Sequence, residues 1–129
     1  MIGKIKHSIR LVKSVVREKL KSTRRSSKWN DVRDQFLSLN PECVACGYGK
    51  NLQVHHVQPF KKSPELELDS NNLTTLCMGP EECHVNLGHA DSFKYFNPRI
   101  RSDAEEYRNS SKEQRLMILA RAKANRLKS

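Results

Sequence analysis

The sequence predicts an α+β fold in which a small mixed core is flanked by N- and C-terminal helices, and three observations lead there. Apolar residues recur at helical spacing toward both ends of the chain. Two short β-type runs lie between them, and every Cys and all but one His fall between Cys43 and His89. At 129 residues the chain has room for one domain with one modest core. A hydrophobic content of 36%, with 6% aromatics, specifies that core weakly, so a metal staple is expected to supply what burial cannot.

At the N-terminus Ile5, Ile9, Val12, Val16 and Leu20 repeat with helical period, giving an amphipathic helix over residues 4–21. Ser22 to Ser27 reads as a basic linker. Residues 1–28 carry ten Lys and Arg, Arg24, Arg25 and Lys28 among them, against Glu18 alone, a net charge of +9 within a chain total of +10. Such a block suits a polyanion: nucleic acid first, an anionic membrane surface second. A mitochondrial presequence shares this amphipathic, acid-poor composition. No apolar run approaches the roughly 20 residues needed to cross a bilayer.

A second helix follows, with Trp29, Val32, Phe36 and Leu39 as its apolar stripe and Asn40-Pro41 as its stop; Trp29 and Phe36 read as core. Cys43-Val-Ala-Cys46-Gly47-Tyr-Gly49 has the form of a knuckle, two thiolates facing one ion across a tight turn. Leu52–Val57 and Leu73–Leu76 are short strands joined by a loop, Phe60 to Asp69, that carries Lys61 and Lys62. A connection of that length is expected where the loop is functional. A third helix starts at Cys83 and runs to about His89, and the aromatic cluster Phe93, Tyr95, Phe96 reads as a satellite core in a loop. The last helix opens at a Ser110-x-x-Glu113 capping box and continues to about Leu127, with Leu116, Leu119 and Ala120 inward. Arg115, Arg121, Lys123, Arg126 and Lys128 would form its basic outer face. This divides the chain into an arm (1–28), a central domain (29–100) and a C-terminal helix packing on it or extending it (101–129).

Four cysteines allow two disulfides or one four-thiolate site. Clustering, the C-x2-C start and the nearby histidines favour metal, and with it a reducing, cytoplasmic compartment. Cys43, Cys46, Cys77 and Cys83 would close a tetrahedral structural zinc site, although the second pair is spaced C-x5-C, wider than usual. His55 and His56 are neighbours on a strand and so point to opposite faces, which suits different duties: one imidazole for a metal, one free to accept a proton.

Leu-Gln-Val-His55-His56-Val-Gln-Pro59, then Asp69-Ser-Asn-Asn72-Leu-Thr-Thr-Leu-Cys77, then Glu-Cys83-His84 resembles the His-Asn-His (HNH) endonuclease motif. The preceding Trp-x-x-x-Arg-x-x-Phe-Leu segment and Pro41-Glu-Cys43-x-x-Cys46 are similar to zinc-containing, often phage-encoded members. The likeness covers about residues 29–97. It implies a ββα-metal, treble-clef-like core in which His55 and His84 hold one catalytic ion, His56 deprotonates the attacking water and Asn72 is the central Asn. His89 is a candidate further ligand, although five residues along a regular helix is about 140° around its axis; Gly88 could relieve the mismatch by breaking the helix. The catalytic ion would be Mg2+, Mn2+, Ni2+, Co2+ or Zn2+, with histidine ligands favouring the transition metals.

The expected activity is hydrolysis of DNA phosphodiesters with low sequence specificity. Lys61, Lys62, Arg24, Arg25 and Lys28 would hold the backbone, and the likeness to small phage nucleases suggests DNA-packaging machinery as a partner. Two other readings remain: a non-catalytic zinc-stabilised module that binds nucleic acid, and a structural zinc protein that docks through its first helix.

Overall fold

The computed structural model describes residues 24–129, so the expected helix over residues 4–21, and most of the basic arm with it, lies outside the described residues. Helix α1 (Trp29–Leu39) ends where Asn40 turns back and donates both its backbone N–H and its side-chain amide to the Phe36 carbonyl. Trp29, Val32 and Phe36 are only half-buried and Leu39 is exposed, so α1 is a flank and contributes little to the core.

The centre is an antiparallel pair, β1 (Leu52–His56) and β2 (Leu73–Cys77), in the register Leu52↔Cys77 to His56↔Leu73. Every residue of β2 is buried, as expected of a strand covered on both faces. Thr75 joins this pair to the segment before it: its hydroxyl donates to the Asn40 carbonyl and its own carbonyl accepts from Val44 N–H. The long connection is shaped by two short 3₁₀ turns, Pro64–Leu66 and Ser70–Asn72, the second capped by Asp69.

Beyond the strands the chain departs from expectation. The third helix is a single π-helical turn, His84–Gly88, closed by the His89 N–H donating to the His84 carbonyl. The aromatic loop contains a two-residue strand, β3 (Tyr95–Phe96), that pairs with β4 (Leu127–Lys128) at the C-terminus. Phe96 is buried, but Phe93 is 56% exposed and joins no satellite core. An unanticipated helix, α2 (Ile100–Arg108), precedes α3 (Lys112–Asn125), whose capping box is Ser111 with Gln114, one residue later than Ser110 with Glu113.

The inward face of α3 also differs. Ile118 and Ala122 are buried, Leu119 is half-buried, and Leu116 and Ala120 point outward. The cause is that three arginines expected on the outer face fold inward. Arg115 bonds Glu81 and the Tyr107 carbonyl, and its guanidinium lies 4.6 Å from the Tyr107 ring. Arg121 donates to the buried Asp103 at 2.7 Å, and Arg126 covers the Tyr95 ring at 3.8 Å while donating to the Ala90 carbonyl. Long cationic side chains cover apolar surface with their stems and satisfy buried acceptors with their heads, which offsets the polarity a hydropathy pattern counts against them. Ile100, Ala104, Tyr107, Ile118 and Ala122 thus share one core with Leu76, Leu87 and the cysteines.

The rotated face is testable. Ile118→Ala should destabilise the protein by about 2–5 kcal/mol, whereas Leu116→Ala should stay within roughly 0.5 kcal/mol of the parent, both read from denaturant midpoints.

Candidate functional site

The first cluster is sulfur. Cys43 and Cys46 flank a tight turn in which Gly47 N–H donates to the Cys43 carbonyl; the positive φ of +82° at Gly47 disfavours any residue with a Cβ, and the Arg108 guanidinium packs against its Cα. Arg108 also donates to the Cys43 carbonyl at 3.0 Å, tying α2 to the knuckle. Cys77 arrives at the end of β2, and Cys83 directly precedes the π turn. The four sulfurs lie within 4.8 Å of one another, and Cys46 and Cys77 are 3.6 Å apart. That is too long for a disulfide and close to the roughly 3.8 Å edge of a tetrahedron with Zn–S bonds of about 2.3 Å.

The charges point the same way. A hydrogen bond from the Cys83 thiol holds Cys43 down to about 4. Burial pushes Cys46 up to about 12, and the bond to Cys43 together with burial raises Cys83 further. Cys43 therefore ionises easily while Cys46 and Cys83 resist a second negative charge, a conflict that a divalent cation at the centre would relieve. Four cysteines this close can bind a structural metal.

The second cluster is imidazole. On β1 the strand alternation sends His55 to the face of the π turn and His56 to the face of α1. The ligand atoms of His55, His84 and His89 lie within 4.8 Å of one another. A central point is then at most about 2.8 Å from each, so small rotations suffice to reach a Zn–N distance of about 2.0–2.1 Å. The i→i+5 closure of the π turn is what brings His84 and His89 to one face; an α-helix would have parted them. Gly88 lets the turn approach the sheet, since a Cβ there would sit 2.8 Å from Leu76 Cδ1 and 3.1 Å from His55 Nδ1.

All three rings favour the neutral form. His84 Nδ1 is 2.6 Å from Gln53 Oε1 and His89 Nδ1 is 2.8 Å from the Tyr95 carbonyl, so each Nδ1–H donates and each Nε2 keeps its lone pair. His55 is fully buried, and neither ring nitrogen has a hydrogen-bond partner. A buried imidazole with no partner is costly, and a bound cation would supply one. Burial is the first cause that lowers each pKa: His55 falls well below its ordinary value, His84 drops to about 4, and His89 is lowered too, with its bond to the Tyr95 carbonyl opposing.

His56 stands apart. It is half-buried, its ring lies 4.6 Å from the Trp29 ring, and its Nε2–H donates to the Glu67 carbonyl at 3.0 Å. Trp29 is thus less a core residue than a side wall for His56. Burial lowers the pKa of His56, with the Glu67 carbonyl opposing and Arg25 adding to the shift. Asn72 braces the loop that carries Glu67: its amide donates to the Gln58 and Leu66 carbonyls and its oxygen accepts Gln58 N–H. The Glu67 carboxylate, buried at 4% exposure, accepts from Arg25 and from Ser26 N–H.

His56, His84 and His89 share an open cleft of about 460 Å³ with Arg25, Phe60, Lys61 and Phe93. Of the basic residues singled out from the sequence, Arg25 and Lys61 reach this cleft. Arg24 lines a neighbouring depression beside Glu67, Lys62 covers the Phe96 ring, and Lys28 is exposed at the start of α1. Sequence reasoning missed Gln53 and Glu67. Gln53 was detectable as the residue two positions before His55 on the same strand face. Glu67 was detectable as an acid set between two leucines, Leu66 and Leu68, in the loop between the strands.

Residues 43–90 match the family model for HNH endonuclease. The matched span opens at the first cysteine and closes one residue after His89, so it holds both clusters, His56 and Asn72. No curated protein and no solved structure matches the chain. Among the described residues no helix is long and apolar enough to cross a membrane.

If the sulfur cluster is structural, Cys43→Ser should lower the melting temperature and the zinc content together. A strong chelator should lower the melting temperature of the parent in the same way, both read by calorimetry with metal analysis.

Proposed function

We propose that the HNH endonuclease domain at residues 43–90 makes this chain a metal-dependent DNA endonuclease of ββα-metal architecture, cutting with little sequence preference. The observation that carries this reading is the gathering of three neutral imidazoles, His55, His84 and His89, two of which, His84 and His89, line a cleft together with His56. Three protein ligands leave coordination positions open, as catalytic sites do, whereas four thiolates close theirs. In this reading Cys43, Cys46, Cys77 and Cys83 hold a structural zinc. The nuclease domain spans residues 29–100, with 101–129 packed on it and 1–28 serving as a basic arm.

When bound by the three histidines, a divalent ion would supply Lewis-acid neutralisation of the leaving 3′-oxygen. The rest falls to the protein's own groups. His56 donates Nε2–H to the Glu67 carbonyl, which fixes its tautomer and leaves Nδ1 as the proton acceptor for an attacking water. Asn72 keeps that carbonyl in place by clamping the loop from both ends. Arg25 and Lys61 flank the cleft and meet the phosphodiester backbone, contacts that carry affinity without reading bases.

The assay is nicking or linearisation of supercoiled plasmid across Mg2+, Mn2+, Ni2+, Co2+ and Zn2+. His56→Ala should lose about 10²–10⁴-fold in rate while keeping its metal content and melting temperature. Plasmid binding with no cleavage under any ion would favour a non-catalytic module instead.

The pH profile adds a signed test. Because burial depresses the pKa of His56, the neutral base persists below the ordinary histidine value of about 6.5. Activity should hold as pH falls through 6.5 and drop only further into acid. An acid limb centred at or above 6.5 would exclude His56 as the base.

A further inference from the structure

Among the described residues that line the cleft, Phe93 is the one large apolar side chain left in solvent. Its ring sits edge-on to His84, with centroids 5.6 Å apart, and 4.7 Å from His89, so it stands directly beside the proposed ion site while remaining 56% exposed. The backbone that presents it is strained. Ala90 and Asp91 both adopt positive φ, +46° and +88°, an uncommon conformation for residues with a Cβ. Such strain persists where the surroundings enforce it, and it tends to collect at functional sites. The turn is enforced here by Asp91 N–H donating to the Val85 carbonyl and by Arg126 holding the Ala90 carbonyl. Across the same cleft stand Arg25 and Lys61, which match a polyanion.

The open cleft measures about 460 Å³, room for one small group such as a base to enter beside Phe93. From this we infer that Phe93 is a substrate-contact residue that stacks on one unpaired base next to the scissile phosphate, so that the site takes DNA strands with an exposed base: single strands, bulges or branch points. The inference deepens the nuclease reading and rests on it for the position of the scissile bond.

The test uses the full-length protein as isolated, with no divalent ion added, and fluorescence anisotropy on three short probes. These are a single strand, its fully abasic counterpart and the matched duplex. Base–aromatic stacking is worth roughly 1–3 kcal/mol, so Phe93→Ala should weaken binding of the base-bearing single strand about 5- to 150-fold. Affinity for the abasic strand and the duplex should not change. Phe93→Trp should restore binding, and Phe93→Leu, which still covers His84 and His89 but has no π face, should not.

Binding of the base-bearing strand by both Phe93→Ala and Phe93→Leu within twofold of the parent would overturn the inference. So would an equal loss on the abasic strand, or a loss confined to the duplex. Plasmid cleavage by the parent separates the two readings. Phe93-dependent strand binding without cleavage supports this contact and sinks the nuclease reading; cleavage with Phe93-independent binding does the reverse.

Discussion

The pairing of β1 with β2 is the constraint on which the rest of the molecule depends. In one register, Leu52↔Cys77 delivers the third sulfur to the knuckle and His56↔Leu73 sets the far end beside the Asn72 loop. The pleat between those ends turns His55 toward the π turn and His56 toward Trp29. Because side chains alternate with period two, a slip of one residue would exchange the two histidines and move Cys77 away from its partners. Two clusters with different chemistry therefore share one specification, and neither can be repositioned without the other.

The two clusters gather electron pairs for opposite ends. Four thiols packed within 4.8 Å cannot all ionise unaided, so their proximity carries an electrostatic penalty that a cation reverses into stability. A small core gains most from such a device, since burial supplies little here. The imidazoles carry no charge to be cancelled. Their cost is desolvation of ring nitrogens, largest at His55, where both stay without partners. Orienting acceptors at Gln53 and Tyr95 aim the remaining rings, and a π turn supplies the geometry that an α-helix would deny.

The C-terminal helices act on this centre from behind. Asn97 donates its backbone N–H to the Gly88 carbonyl and its side-chain amide to Asp103, which in turn receives Arg121. Arg108 reaches the Cys43 carbonyl, and Arg115 meets Glu81 in the turn before Cys83. These contacts join α2 and α3 to the π turn and to the knuckle through charge-assisted hydrogen bonds, which are shorter and stronger than neutral ones. They hold the backbone from the side away from the cleft lined by His56, Phe93 and Lys61.

Much of the centre was legible in the residues alone, because local chemistry determined it. The C-x2-C turn, the β-type runs around His55-His56 and Leu73–Cys77, and the Asn40-Pro41 stop each follow from spacing and backbone preference within a few positions. Other features required the folded chain. The face of α3 was misread because a hydropathy pattern treats Arg115, Arg121 and Arg126 as outward, and only the buried acceptors at Asp103 and Ala90 and the aromatic rings draw them in. The joining of His84 with His89 depended on a π turn whose Gly88 packs closely against Leu76 and His55, a contact that spacing alone does not show. Phe93 lies between a turn of two positive φ angles, held locally by Val85 and at a distance by Arg126, and a two-residue strand paired with residues 127–128, contacts that spacing alone does not show. Short-range preferences are written in neighbouring residues, whereas the orientation of a side chain within a site is set by whatever distant segment happens to satisfy its backbone.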